Sequence, residues 1–97
     1  MRRCYLVCYD VGDEKRLRKT HTVMLGYGDP LQYSVFRCIL SQQEKALMMV
    51  RLLEVIHPKQ DRVLVVDLGA ANECVSDRME FIGRPLADPD LPEAVVV

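Results

Sequence analysis

From Arg3 to Tyr9 the chain is a short run rich in Tyr, Leu, Val and Cys, closed by the polar stretch Asp10-Val11-Gly12-Asp13. Seven residues of this character ended by turn formers are too few for a helix and predict a buried central strand. Asp13 is a good N-cap, and the segment Glu14 to Leu25 sets Leu17, Met24, Leu25 and His21 toward one side before Gly26-Tyr27-Gly28 stops the pattern. This predicts a first helix whose other face carries Lys15, Arg16, Arg18 and Lys19. Asp29-Pro30 reads as a turn. Gln32 to Leu40 then alternates Tyr33, Val35, Arg37 and Ile39 against Ser34, Phe36, Cys38 and Leu40, the period of a second strand.

Ser41 followed three residues later by Glu44 has the spacing of a capping box, and Ala46, Leu47, Val50, Leu53 and Ile56 continue as the apolar side of a second helix that His57-Pro58 ends. Val63 to Val66 is unbroken apolar sequence, which predicts a strand covered on both faces. Met79 to Ile82 reads as a short further strand ended by Gly83-Arg84-Pro85, and Pro85, Pro89 and Pro92 keep the following link extended. Ala94 to Val97 is a last apolar strand whose natural recipient is the sheet edge of a second protomer. The order strand, helix, strand, strand or turn, helix, strand is one element short of the split β-α-β-β-α-β arrangement, and Met79 to Ile82 supplies it. The prediction is an α+β, ferredoxin-like sandwich with both helices on one face and an additional C-terminal strand pairing across a homodimer. Residues 1–78 form its core, and residues 79–97 supply the C-terminal strands, the Pro-rich link and dimerisation within the same domain.

Composition narrows the class. Ninety-seven residues suit one domain, and 49% hydrophobic with 28% charged residues is too apolar and too balanced for disorder. No apolar run approaches the roughly 20 residues of a membrane span. Asp10 also cuts the first apolar run below the length of a secretory core, so a cytoplasmic protein with no membrane partner is expected. Four cysteines without a C-x-x-C pair are expected to be reduced, structural thiols. The net charge of −1 conceals polarity along the chain: residues 1–20 hold six Lys/Arg against three Asp/Glu, and residues 77–97 hold two against five. A local basic strip can meet phosphates even on a near-neutral domain.

Asp10, at the predicted end of the first strand, is by residue type more often a turn former, although its position also suits a cation. A carboxylate on the rigid end of a strand is placed to hold a hard cation, and magnesium takes one or two carboxylates while keeping several waters. A two-fold axis bringing two Asp10 side chains together would complete such a site, so metal binding should depend on dimerisation. Asp13 is the nearest second carboxylate, with capping as its simpler role. His21 reads as a core or boundary histidine and His57 as a helix C-terminal residue, which leaves no dedicated general base.

Tyr9-Asp10-Val11, Asp13 with Lys15-Arg16-Leu17-Arg18-Lys19, and Gly26-Tyr27-Gly28 leading to Gln32-Tyr33-Ser34-Val35-Phe36 resemble, in order and spacing, the small CRISPR-associated Cas-two endoribonuclease family. The tail, with Gly83-Arg84-Pro85, a Pro-rich link and a terminal Val run, is also similar, so the resemblance covers nearly the whole chain. It implies a ferredoxin-like homodimer acting in spacer acquisition: an endonuclease, dependent on Mg2+ or another divalent cation, that cleaves single-stranded RNA and/or duplex DNA, and a subunit joined to the Cas-one integrase. Asp10 would be the catalytic metal ligand. Tyr9, Lys15, Arg16, Arg18, Lys19, Ser34, Phe36 and Arg37 would contact nucleic acid, and Ala94, Val95, Val96 and Val97 would dimerise. Composition alone favours a packing role for Phe36, and Arg37 and Arg84 are weaker candidates than the helix cations. Some relatives place a basic residue just before the Gln-Tyr-Ser-Val-Phe segment, where this chain has Pro30-Leu31; Arg78 is a partial substitute. The alternative reading is a non-catalytic DNA-bridging scaffold for the integrase. A small regulatory domain is the third, resting on fold analogy alone.

Overall fold

The computed structural model describes residues 1–73 and 79–84. Its elements run β1 (Arg3–Asp10), α1 (Glu14–Leu25), β2 (Asp29–Gln32), β3 (Val35–Leu40), α2 (Gln42–Val55) and β4 (Arg62–Ala70), followed by a 3-10 turn over Ala71–Glu73. The sheet order is β2-β3-β1-β4, with every neighbouring pair antiparallel. This is the split β-α-β arrangement, with β1 in the interior as its apolar run requires.

Helix starts follow the local chemistry. The Asp13 carboxylate accepts the Arg16 N–H at 2.9 Å, satisfying one of the free donors at the start of α1. At α2 both halves of the capping box form: Ser41 Oγ accepts the Glu44 N–H at 3.1 Å, and Glu44 Oε1 accepts the Ser41 N–H at 2.8 Å.

Three strand expectations need correction. Gln32 to Leu40 is a hairpin rather than one strand: Asp29-Pro30 begins β2, Tyr33-Ser34 turns, and β3 starts at Val35. Pro30 is tolerated because β2 is an edge strand, where a missing N–H costs no ladder bond. β2 therefore supplies the fourth strand, and Met79 to Ile82 is irregular. Finally, β4 is an edge strand with one face open, and Leu64 is 56% exposed where coverage on both faces was expected. The Ala94 to Val97 strand and Arg78 lie outside the described residues.

The core lies between the helices and one sheet face. Tyr5, Val7, Tyr9, Phe36, Cys38 and Leu40 from the strands meet Met24 of α1 and Met48 and Leu52 of α2. Both helices present a different stripe from the one their sequence suggests. In α1 the buried positions are Thr20 and Met24, while Leu17 and Leu25 are exposed. Thr20 is admitted to the core because its hydroxyl donates to the Arg16 carbonyl at 2.8 Å. In α2, Met48 and Leu52 are buried and Leu47, Val50 and Leu53 face outward. Cys8 and Cys38 are free thiols, but Cys4 is disulfide-bonded, which departs from the expectation of four reduced cysteines.

Candidate functional site

Strand alternation divides β1 between two environments. Tyr5, Val7 and Tyr9 face the core, so Leu6, Cys8 and Asp10 lie on the open side. Asp10 ends the strand, exposed, and its partner in the β1–β4 ladder is Arg62, which is also exposed. On the other side the Tyr9 N–H donates to the Ser34 carbonyl at 3.0 Å, tying the end of β1 to the Tyr33-Ser34 turn. Tyr33 is 71% exposed. Asp10 and Arg62 thus face each other at the ends of β1 and β4, and Tyr33 lies in the turn before β3, the strand on the other side of β1. Arg62 was missed by sequence reasoning, because only the register reveals it as a neighbour of Asp10.

Tyr9 and Phe36 do not face nucleic acid. They are 5% and 0% exposed, and their rings stack with centroids 6.1 Å apart. His21 meets the Phe36 ring edge-on at 5.5 Å, as a boundary histidine should, and its Nδ1 lies 3.2 Å from Tyr9 Oη. Tyr9 Oη donates to the Tyr33 carbonyl at 3.1 Å. A phenol has one hydrogen, so His21 Nδ1 must then carry the proton of the other bond. Burial pushes the Tyr9 hydroxyl above its ordinary value, keeping it protonated for this role. Tyr9 and Phe36 support the turn beside Asp10 from below.

Arg16 is the second correction. Its Nε lies 2.7 Å from Asp61 Oδ2 and its Nη2 3.1 Å from Asp61 Oδ1, with a further bond to Gln60 Oε1 at 3.2 Å. The Asp61 side chain is wholly buried and also accepts the Gly12 N–H at 3.1 Å and the His57 N–H at 2.7 Å. The Arg16 guanidinium, reinforced by those amides, holds the Asp61 carboxyl far below the usual carboxylate range. Nε and Nη2 are thus committed inside the fold, where a free phosphate-binding side chain was expected. Sequence reasoning missed Asp61 because an Asp after Lys59-Gln60 reads as an ordinary turn residue.

Lys15, Arg18 and Lys19 remain exposed on α1. Arg18 meets Glu14 across one helical turn at 3.2 Å, a pair open to solvent and easily exchanged for phosphate. Arg37 lies on the open sheet side, 3.6 Å from Asp29, and its buried Nε has no hydrogen-bond partner among the described residues. Ser34, half-buried in the turn, contributes its carbonyl to β1.

As a cation site, Asp10 offers the right donor chemistry and too few donors. No group of three or more His, Cys, Asp or Glu that could hold a metal occurs among the described residues. One carboxylate in an open, solvated position fits half of a magnesium site completed by waters and a second carboxylate. No helix among the described residues is long and apolar enough to cross a membrane.

Comparison with known proteins places this geometry. The family model for CRISPR associated protein Cas2 matches residues 2–74. CRISPR-associated endoribonuclease Cas2 of Geobacter sulfurreducens is 37% identical over 97 residues, covering 100% of both chains. Endoribonuclease Cas2 2 of Thermodesulfovibrio yellowstonii is 46% identical over 68 residues, covering 70% of this chain and 75% of its own. In three dimensions the chain is similar to the crystal structure of Streptococcus pyogenes Cas2 at pH 6.5, with a TM-score of 0.74, 33% identity, and coverage of 82% of this chain and 99% of that one. With its strand order, its exposed Asp10 at the end of β1 and a family match over most of its length, the chain belongs to the CRISPR-associated Cas2 family.

Proposed function

We propose that this protein is a divalent-metal-dependent endonuclease of CRISPR spacer acquisition, with Asp10 as its metal ligand and RNA, as in the names of its relatives, as one substrate. The observation that carries the reading is the placement of Asp10 on the open side of β1, exposed and paired in the ladder with Arg62. Magnesium or another divalent cation bound there supplies Lewis-acid stabilisation to a phosphodiester. The chain's own residues then divide the remaining work. Lys15, Arg18 and Lys19 hold the phosphate backbone from α1, Arg62 holds it from β4, and Tyr33 offers a face on which an unpaired base can stack. Ser34 donates to a phosphate from the same turn.

The reading includes a homodimer. Leu6, Cys8, Val35, Ile39, Leu64 and Val66 share the open sheet side, with Ile39 43% and Leu64 56% exposed, an apolar surface suited to a second copy. A second copy also brings a second Asp10, which would add a second carboxylate to a magnesium site. Residues 79–97, with Ala94 to Val97, extend that interface, in a cytoplasmic complex with the Cas-one integrase and DNA.

The second reading, a DNA-bridging scaffold without physiological cleavage, is favoured by the absence of an acid–base group beside Asp10 among the described residues, since His21 is occupied by Tyr9. Purified Asp10→Asn tests cleavage itself. Spacer acquisition in cells separates the two readings: the nuclease reading requires that acquisition fall with Asp10→Asn, whereas the scaffold reading requires that it persist and fail when Arg18 and Lys19 become Glu.

A further inference from the structure

Of the three residues between Asp10 and α1, Val11 packs against the core and Asp13 caps the helix, which leaves the exposed Gly12 between them. A Cβ built on Gly12 would meet nothing within 4 Å, so no packing wedges that residue in place. Its N–H bond to Asp61 Oδ1, at 3.1 Å, is the contact that holds it. Asp61 is fixed in turn by Arg16 in the first turns of α1 and by the His57 N–H after α2. The residue after Asp61 is Arg62, the ladder partner of Asp10. One buried carboxylate therefore ties together the exit of β1, the start of α1 and the entry to β4, the three segments that converge on Asp10.

We propose that Asp61 is a positioning residue that, through the Gly12 N–H and Arg16, fixes the β1–α1 loop and hence the direction of the Asp10 carboxylate. The inference rests on the reading of Asp10 as the metal-binding residue. Chemistry explains why a carboxylate is needed. Asp61 accepts four N–H groups on two oxygens, whereas an amide has one oxygen and would turn an NH2 group toward Arg16 and toward either the Gly12 or the His57 N–H. An Asn at this position fills the same space but cannot hold all three segments.

The test uses Asp61→Asn, with Arg16→Lys as a second variant that keeps the charge and removes the two-pronged grip. Each is first shown to be folded and of wild-type oligomeric state; if Asp61→Asn does not fold, Arg16→Lys carries the test. Amide exchange at Gly12 and the Asp10 carboxylate carbon signal are read by NMR, beside kcat and KM for cleavage. The proposal expects Gly12 exchange to rise at least about tenfold while Val7 is unchanged, the Asp10 signal to move, and kcat to fall by about 100-fold with KM nearly constant, as small misplacements of a catalytic group do. Wild-type Gly12 exchange and an unmoved Asp10 signal overturn it, as does a moved loop with unchanged kcat. Asp10→Asn is run alongside. Cleavage that survives it defeats the reading of Asp10, and the positioning claim is then decided by the Asp10 signal in Asp61→Asn, where no movement overturns it.

Discussion

Arg16 grips Asp61 with two prongs, Nε to Oδ2 at 2.7 Å and Nη2 to Oδ1 at 3.1 Å, across 45 residues of sequence. Arg16 thereby serves as an internal strut, and Lys15, Arg18 and Lys19 are the exposed cations of α1.

The first consequence concerns acid. Asp61 has its folded pKa held below the unfolded value, so its contribution to stability is present above the ordinary carboxylate pKa of about 3.9 and is lost as pH falls below it. Thermal denaturation from pH 7 to pH 3 should show the wild type losing its advantage over Asp61→Asn as acid is added. A gap between the two melting temperatures that stays constant over this range contradicts the assignment.

The second concerns the register of α2. Met48 is fully buried and Leu47, one residue earlier, is 51% exposed. Met48→Ala should cost about 2–5 kcal/mol and leave a cavity. Leu47→Ala should change stability by no more than about 0.5 kcal/mol. Denaturant unfolding of the two variants reads the difference, and equal losses contradict this packing.

A third prediction separates charge from stacking. Replacing Arg18 or Lys19 with Ala should weaken single-strand binding and reduce the slope of log affinity against log salt by about 0.7 for each phosphate no longer neutralised. Tyr33→Ala should lower single-strand affinity by about 1–3 kcal/mol for the one stacked base, with the salt slope unchanged. Titrations at several salt concentrations check both, and a slope that falls with Tyr33→Ala contradicts the division of roles.

Helix starts were legible in the sequence because capping is local chemistry: Asp13, Ser41 and Glu44 take the places their types and spacing demand. The ferredoxin-like order was also legible, although through the wrong fourth strand. Pro30 reads as a breaker, and only its edge position in the folded sheet makes it a strand residue. The face of α2 was not legible, since a helix carrying Ala46, Leu47, Met48, Met49, Val50, Leu52 and Leu53 offers several apolar stripes. Which one is buried depends on the partner sheet. At the site, alternation identifies Asp10 as open-sided once Tyr9 is known to be buried. Arg62 becomes its neighbour through strand register, and Asp61 meets Gly12 and Arg16 through contacts between distant segments, which no local pattern encodes.

If Asp10 holds the metal for phosphodiester cleavage, removing its charge abolishes that cleavage. The most direct measurement compares wild type with Asp10→Asn, both verified as folded dimers, for cleavage of single-stranded RNA and duplex DNA with magnesium and with chelator. The account predicts cleavage by the wild type that requires magnesium and vanishes in Asp10→Asn. Equal cleavage by both proteins, or none by either, contradicts it.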